Sequence, residues 1–197
     1  MLAQESTLES NHMPDHVCPI WVGRLMAHPL RKLLQNPRKL VGSYVKEGMT
    51  VLDLGCAMGF FSLAMAKMVG PQGRVVAVDV QPGMIDGLKH RATRAELDGR
   101  IEARVCRDDS LQIDDLGERV DFALAFAVVH EVPRPEVFFD EIHAALKPGG
   151  RLFMAEPKGH VDDEQYRRTI ETAERAGFSV LEERRHYSGR GVLFERK

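Results

Sequence analysis

Apolar and polar positions along the chain fall into two alternating periods. Thr50 to Leu54 is a short, nearly continuous apolar run bounded by polar residues, the pattern of a buried strand. A glycine turn follows, and then helical spacing takes over from Phe60 to Met68. Gly70-Pro71-Gln72-Gly73 closes that helix. Arg74 to Val80 (RVVAVDV) predicts a second strand, and Pro82 is placed to open a helix reaching about Leu97. Ile101 to Cys106 predicts a third strand. Val120 to Ala127 (VDFALAFA) predicts a fourth, apolar enough to be covered on both faces. A helix is expected over Pro135 to Leu146, closed by Lys147-Pro148-Gly149-Gly150, with a fifth strand over Arg151 to Ala155. Asp162 or Asp163 caps a helix to Ala176 that Gly177 ends. The tail holds two strand-like runs around Ser188-Gly189-Arg190-Gly191, a hairpin or a nearby pair.

Strand–helix alternation of this kind builds a doubly wound α/β domain with a mainly parallel sheet and helices on both faces. Ligands of such sheets bind in the crevice at the carboxyl ends of the strands. Functional residues are therefore expected at Asp53 to Gly59, Asp79, Asp108-Asp109, Ala127 to Glu131 and Glu156 to His160.

The turn VLDLGCAMGFFS (51–62) limits the choice of cofactor. A dinucleotide fingerprint, G-x-G-x-x-G, read from Gly55 needs glycine at 57 and 60, where the chain has Ala57 and Phe60. Gly55 and Gly59, preceded by Asp53, suit S-adenosylmethionine (SAM) better. SAM has no phosphate for a helix N-terminus to hold, and it carries an ammonium and a sulfonium that a carboxylate can face, directly or through water. Asp79, twenty residues after Gly59, is placed to accept both ribose hydroxyls. Singly, each residue has a plainer reading as a turn former or helix cap. Together and in this order they point to SAM.

At this point the chain resembles the class I (Rossmann-like) SAM-dependent methyltransferases. VLDLGCAMGFFSLAMA is similar to their first motif and VVAVDVQPGMID to their acidic second-strand motif. VDFALAFAVVHEVP resembles the fourth-strand motif, and LKPGGRLFMAEP the motif entering the fifth strand. The likeness covers roughly 37–197, with Ala57 standing where the family most often has glycine. It implies a seven-stranded sheet whose last strand is antiparallel. It also implies a cofactor set of Asp53, Gly55, Cys56, Ala57, Gly59, Asp79, Val80 and Ala127, with Asp108 or Asp109 on the adenine amino group.

Methyl transfer from a sulfonium is an in-line displacement, so alignment and exclusion of water dominate. A base is needed only where the nucleophile must lose a proton. His130 is the best-placed candidate, with a histidine that merely orders its loop as the competing reading. Glu131, Glu156 and His160 are expected around the acceptor, Glu156 as pocket wall and His160 as a residue ahead of the helix cap. The HEVP form resembles the small-molecule branch, which includes quinone and arsenite methyltransferases. The (N/D)PP(Y/F) motif of nucleobase amino methyltransferases is absent.

Composition narrows the partners. A net charge of −2, with 44% hydrophobic and 28% charged residues, leaves no basic stripe for nucleic acid. No apolar stretch is long enough for a membrane span, and the polar start lacks the build of a signal peptide. Three scattered cysteines argue against a disulfide framework and for a cytoplasmic setting. A homodimer is left open. Residues 1–45 are expected to form an N-terminal segment ahead of a cofactor-binding domain at 46–197. Trp21 there lies on an amphipathic helix that packs at the sheet edge or closes as a lid over the substrate. His12, His16 and Cys18 are soft-metal donors, but one thiol is too few for arsenite chemistry and no metal is assigned.

Overall fold

A computed structural model describes residues 36–157, 159–186 and 189–197. The expectations for Trp21, His12, His16 and Cys18 lie outside these residues. Helix α1 (Pro37–Val41) leads into β1 (Thr50–Leu54), α2 (Ser62–Met68), β2 (Arg74–Asp79), α3 (Pro82–Arg94) and β3 (Ile101–Val105). Then come β4 (Val120–Phe126), α4 (Pro135–Ala145), β5 (Leu146–Pro157), α5 (Asp163–Arg175), β6 (Phe178–His186) and β7 (Gly189–Arg196). The seven strands form one sheet in the order β3-β2-β1-β4-β5-β7-β6. Strands β1 to β5 pair in parallel, while β7 runs antiparallel to both β5 and β6.

The central strands are largely apolar because both faces are covered. Leu52, Leu54, Val76, Val78, Ala123 and Met154 enter one core with α4 and α5, together with Phe139 and Phe178. Val51, Val75, Ala77, Phe122, Leu124 and Phe153 enter the other, against α2, Phe60, Phe61 and Leu88. Tyr44 closes this second core by stacking on Phe122, with ring centroids 5.6 Å apart. Such burial contributes roughly 1.5–3 kcal/mol for each large side chain.

The register brings the strand ends together. Leu54 lies opposite Val78 on one side and Ala125 on the other, so the residues after β1, β2 and β4 emerge along one edge. The helix starts match the expected chemistry. Pro82 sits in the first turn of α3. Asp162 is the cap of α5: its Oδ1 accepts the Gln165 N–H at 2.7 Å while the Gln165 side chain accepts the Asp162 N–H, an arrangement worth about 1 kcal/mol.

Several element ends fall one to three residues short of expectation, α3 stopping at Arg94, and two boundaries differ in kind. The α2 helix begins at Ser62, because Phe60 and Phe61 still belong to the turn. Lys147-Pro148-Gly149-Gly150 does not separate α4 from the fifth strand. Leu146 already pairs with Val120, and pairing resumes at Arg151 opposite Phe122, so the four residues bulge out of β5. Gly149, at φ +73°, supplies the left-handed step that the bulge requires.

Candidate functional site

Five loops meet at the carboxyl edge of the sheet, and the glycine turn is at their centre. Gly55 (φ +64°) and Gly59 (φ +77°) both occupy the left-handed region. A Cβ at 55 would lie 2.5 Å from Val128 Cγ2, and one at 59 would lie 2.2 Å from Leu88 Cδ1. Backbone angle and packing against the protein itself thus demand glycine at both positions. Ala57, at φ +45°, is also left-handed, a strain of about 1 kcal/mol for a residue with a side chain. Arg91, on α3, donates to the Met58 carbonyl and ties the turn to that helix.

Two carboxyls hold this turn. Asp53 is 2% exposed, and its Oδ2 accepts the Ser62 hydroxyl at 2.5 Å. Burial pushes its carboxyl up to about 7; the Ser62 bond opposes the rise and the nearby Asp79 charge adds to it. Asp79 accepts the Ala57 N–H on Oδ2 and the Gln81 N–H on Oδ1, both at 2.9 Å. Burial raises its carboxyl above the ordinary range, with these two N–H bonds pulling against it. Each Asp79 oxygen keeps lone-pair capacity beyond its one bond. Val80, next in sequence, is a large apolar side chain left 37% exposed.

The Asp108-Asp109 pair divides its duties. Asp109 is held by Arg134, whose Nη2 lies 3.4 Å from the Asp109 carboxylate and donates to its backbone carbonyl at 2.9 Å. Asp108 is exposed and makes no ion pair among the described residues. Ala127, just past β4, is left-handed at φ +57°, and its N–H donates to the Ala155 carbonyl at 2.7 Å. Cys56 and Cys106 are buried free thiols near the turn, with burial pushing the Cys106 thiol up to about 12. Both are therefore protonated.

The second half of the site lies between the turn Val129–Glu131 and α5. His130 Nδ1 lies 2.6 Å from Glu156 Oε2, and the His130 backbone N–H donates to Oε1 of the same carboxylate at 3.2 Å. The His160 ring meets the His130 ring edge-on, centroids 5.2 Å apart. Glu131 Oε1 lies 3.9 Å from His130 Nε2. A cleft of about 510 Å³ opens above this group, walled by Val129, Val132 and Pro135 on one side and by Gln165, Arg168, Thr169 and Thr172 of α5 on the other. Sequence reasoning placed His130, Glu131, Glu156 and His160 near the acceptor separately. It missed the direct His130–Glu156 pairing and the polar stripe of α5. The spacing of positions 165, 168, 169, 172 and 175 on one helical face was the available signal.

The sheet order and the cofactor-edge acids define the class: a Rossmann-like methyltransferase fold. The chemistry of the donor set fits SAM, since acids and an apolar platform line the edge and the nearby Arg91 is committed to the turn's own carbonyl. A family model described as a methyltransferase domain matches residues 45–185. A SAM-dependent methyltransferase from Aquifex aeolicus superposes with a TM-score of 0.81 at 26% identity, covering 92% of this chain and 100% of that one. An arsenite methyltransferase of Halobacterium salinarum is 33% identical over 121 residues, 61% of this chain and 30% of that protein. A ubiquinone biosynthesis O-methyltransferase of Coxiella burnetii is 31% identical over 128 residues, 62% of this chain and 50% of that protein. The chain thus spans between about a third and a half of the length of these two relatives. It belongs to the methyltransferase-domain family, the class I SAM-dependent methyltransferases. Among the described residues no helix is long and apolar enough to cross a membrane.

Proposed function

We propose that the protein transfers a methyl group from SAM to a small molecule held in the cleft between the Val129–Glu131 turn and α5. The observation that carries this reading is the cleft: about 510 Å³, the size of a metabolite site, at the end of β4 beside the cofactor edge. The low-identity relatives act, by name, on arsenite and in ubiquinone biosynthesis. Both are small acceptors.

In this reading Asp79 binds the ribose hydroxyls with the lone pairs its two N–H bonds leave free. Val80 offers an apolar surface to the adenine ring, and Asp108 accepts from the adenine amino group while Asp109 stays with Arg134. Gly55, Cys56, Ala57 and Gly59 shape the turn against the methionyl part, next to Ala127. Asp53 acts on the ammonium through Ser62 or a water, because its carboxyl is turned inward. When bound, SAM supplies a methyl on a sulfonium, whose carbon–sulfur electron pair stays with sulfur. In this reading His130 takes the acceptor's proton, and Val129, Val132 and Pro135 give the acceptor an apolar wall.

The test incubates the purified protein with methyl-labelled SAM and a cell extract divided into small-molecule and macromolecular fractions. Label should enter the small-molecule fraction. Incorporation confined to protein or RNA would refute the acceptor reading, and no incorporation in either fraction would refute transfer itself.

A further inference from the structure

Glu156 is 3% exposed, yet no arginine or lysine among the described residues pairs with it. Both of its oxygens are spent on one residue: Oε2 lies 2.6 Å from the His130 ring and Oε1 accepts the His130 backbone N–H at 3.2 Å. An isolated buried carboxylate is costly, so its presence at the end of β5 needs a compensating partner, and that partner is a histidine at the end of β4. A carboxylate can only accept at Nδ1. The proton is therefore fixed there, and the lone pair is left on Nε2, the nitrogen farther from Glu156. No hydrogen bond occupies Nε2 among the described residues. The two contacts fix both the ring and the backbone of His130.

From this geometry, and resting on the small-molecule reading above, we infer that His130 and Glu156 form a general-base pair in which Glu156 is the positioning residue, and that the acceptor is a hydroxyl-bearing small molecule. The choice of nucleophile follows from what each one needs. A thiol, with a pKa near about 8.5, ionises without much help, and a neutral amine attacks with its lone pair before it loses a proton. A phenolic hydroxyl near about 10, or an alcohol above it, gains most from a base in the transition state. Arsenite chemistry, for its part, calls for thiols, and no cysteine among the described residues lines this cleft.

The step balances simply. The acceptor's O–H proton passes to His130 Nε2 as an oxygen lone pair forms the O–CH3 bond at the expense of the methyl–sulfur bond, whose electron pair stays on the leaving thioether. The imidazolium beside Glu156 then releases that proton to solvent.

Several charges face His130, and all enter its titration. Glu156 comes from β5, Glu131 from its own turn, and His160 from the loop after β5. Across the cleft stand Arg168, Glu171 and Arg175 of α5, with Glu136 at the start of α4. The nearest are carboxylates. The Glu156 bond accordingly raises the His130 pKa above its ordinary value, against an opposing effect of burial.

The test has two readouts. The first follows the histidine ring resonances by NMR from pH 5 to 9 in the protein without acceptor, with His130 assigned by its loss in His130→Asn. The wild-type midpoint should lie above 6.5, and in Glu156→Gln it should fall. A wild-type midpoint at or below 6.5 overturns the pair, and this holds even where Glu156→Gln does not fold. The second identifies the labelled product from the extract. An O-methyl product is expected, with kcat lowered about 10²- to 10⁴-fold in His130→Asn and SAM affinity unchanged. Glu156→Gln should lower kcat and move the acidic limb of the pH profile to lower pH. An unmoved limb would leave Glu156 a merely structural residue and overturn its role. An N-, S- or As-methyl product overturns the acceptor class. Absence of any product sinks the small-molecule reading and the acceptor class with it, while the NMR midpoints still decide the pair.

Discussion

Replacing Asp53 by asparagine should stabilise the protein in alkaline solution and weaken its hold on SAM. In the folded chain Asp53 is 2% exposed and burial pushes its carboxyl from 3.8 up to about 7. A folded-state pKa raised above the unfolded value means that the fold favours the protonated form. The contribution is fully present below about pH 4 and is lost as pH rises to about 7. At about 1.36 kcal/mol per tenfold, that displacement corresponds to roughly 4 kcal/mol of stability lost above pH 7. Asparagine has no charge to desolvate. Its amide matches the short bond to Ser62 imperfectly, at a cost of about 1 kcal/mol, leaving a net gain of about 2–3 kcal/mol at pH 8. For a chain of this size that is a rise in Tm of about 5–10 °C at pH 8, with little difference at pH 4. The assay is thermal or urea unfolding of both proteins from pH 4 to pH 9. Parallel curves across that range would show that Asp53 is not desolvated and would refute the reasoning. Calorimetry on the same two proteins should show SAM affinity falling about tenfold or more in Asp53→Asn, if the carboxylate's charge acts on the ligand's ammonium through Ser62 or a water as proposed.

Other outcomes follow from neighbouring residues. Asp79→Asn keeps the acceptor oxygen for one of the two N–H bonds from Ala57 and Gln81 but removes the charge, so it should fold and lose SAM affinity about 10- to 100-fold by calorimetry. Gly55→Ala should destabilise by about 2–4 kcal/mol in urea unfolding, from the φ of +64° plus overlap with Val128; shortening Val128 to alanine should recover only part of the overlap, since the Cβ at 128, 2.8 Å from the new methyl, remains. Asp108→Asn should weaken SAM several-fold, while Asp109→Asn, which releases Arg134, should leave SAM affinity nearly unchanged. Equal effects from the two would contradict the division of roles.

The parts of the fold set by local chemistry were legible in the sequence. Continuous apolar runs marked β1, β2 and β4, and Pro82 and the Asp162 cap marked the starts of α3 and α5. Gly55 and Gly59 lie in the turn expected of them, and their missing side chains also make room for Val128 and Leu88, which the sequence could not show. What sequence spacing could not show was pairing across the sheet. Leu146 joins β5 because Val120 waits opposite it, not because of its neighbours in sequence. Asp53 turns inward because Ser62, nine positions on, swings back beneath it. Glu156 reads as pocket wall until β4 and β5 are seen side by side, which brings it to His130 across 26 positions of sequence.

The most direct measurement is a calorimetric titration of SAM into the wild-type protein and into Asp79→Ala, with NADH titrated in parallel. The expected result is saturable one-to-one binding of SAM by the wild type, severe loss in the variant and no binding of NADH. Undiminished SAM binding without the Asp79 carboxylate, or NADH binding in preference to SAM, would contradict the assignment of this turn.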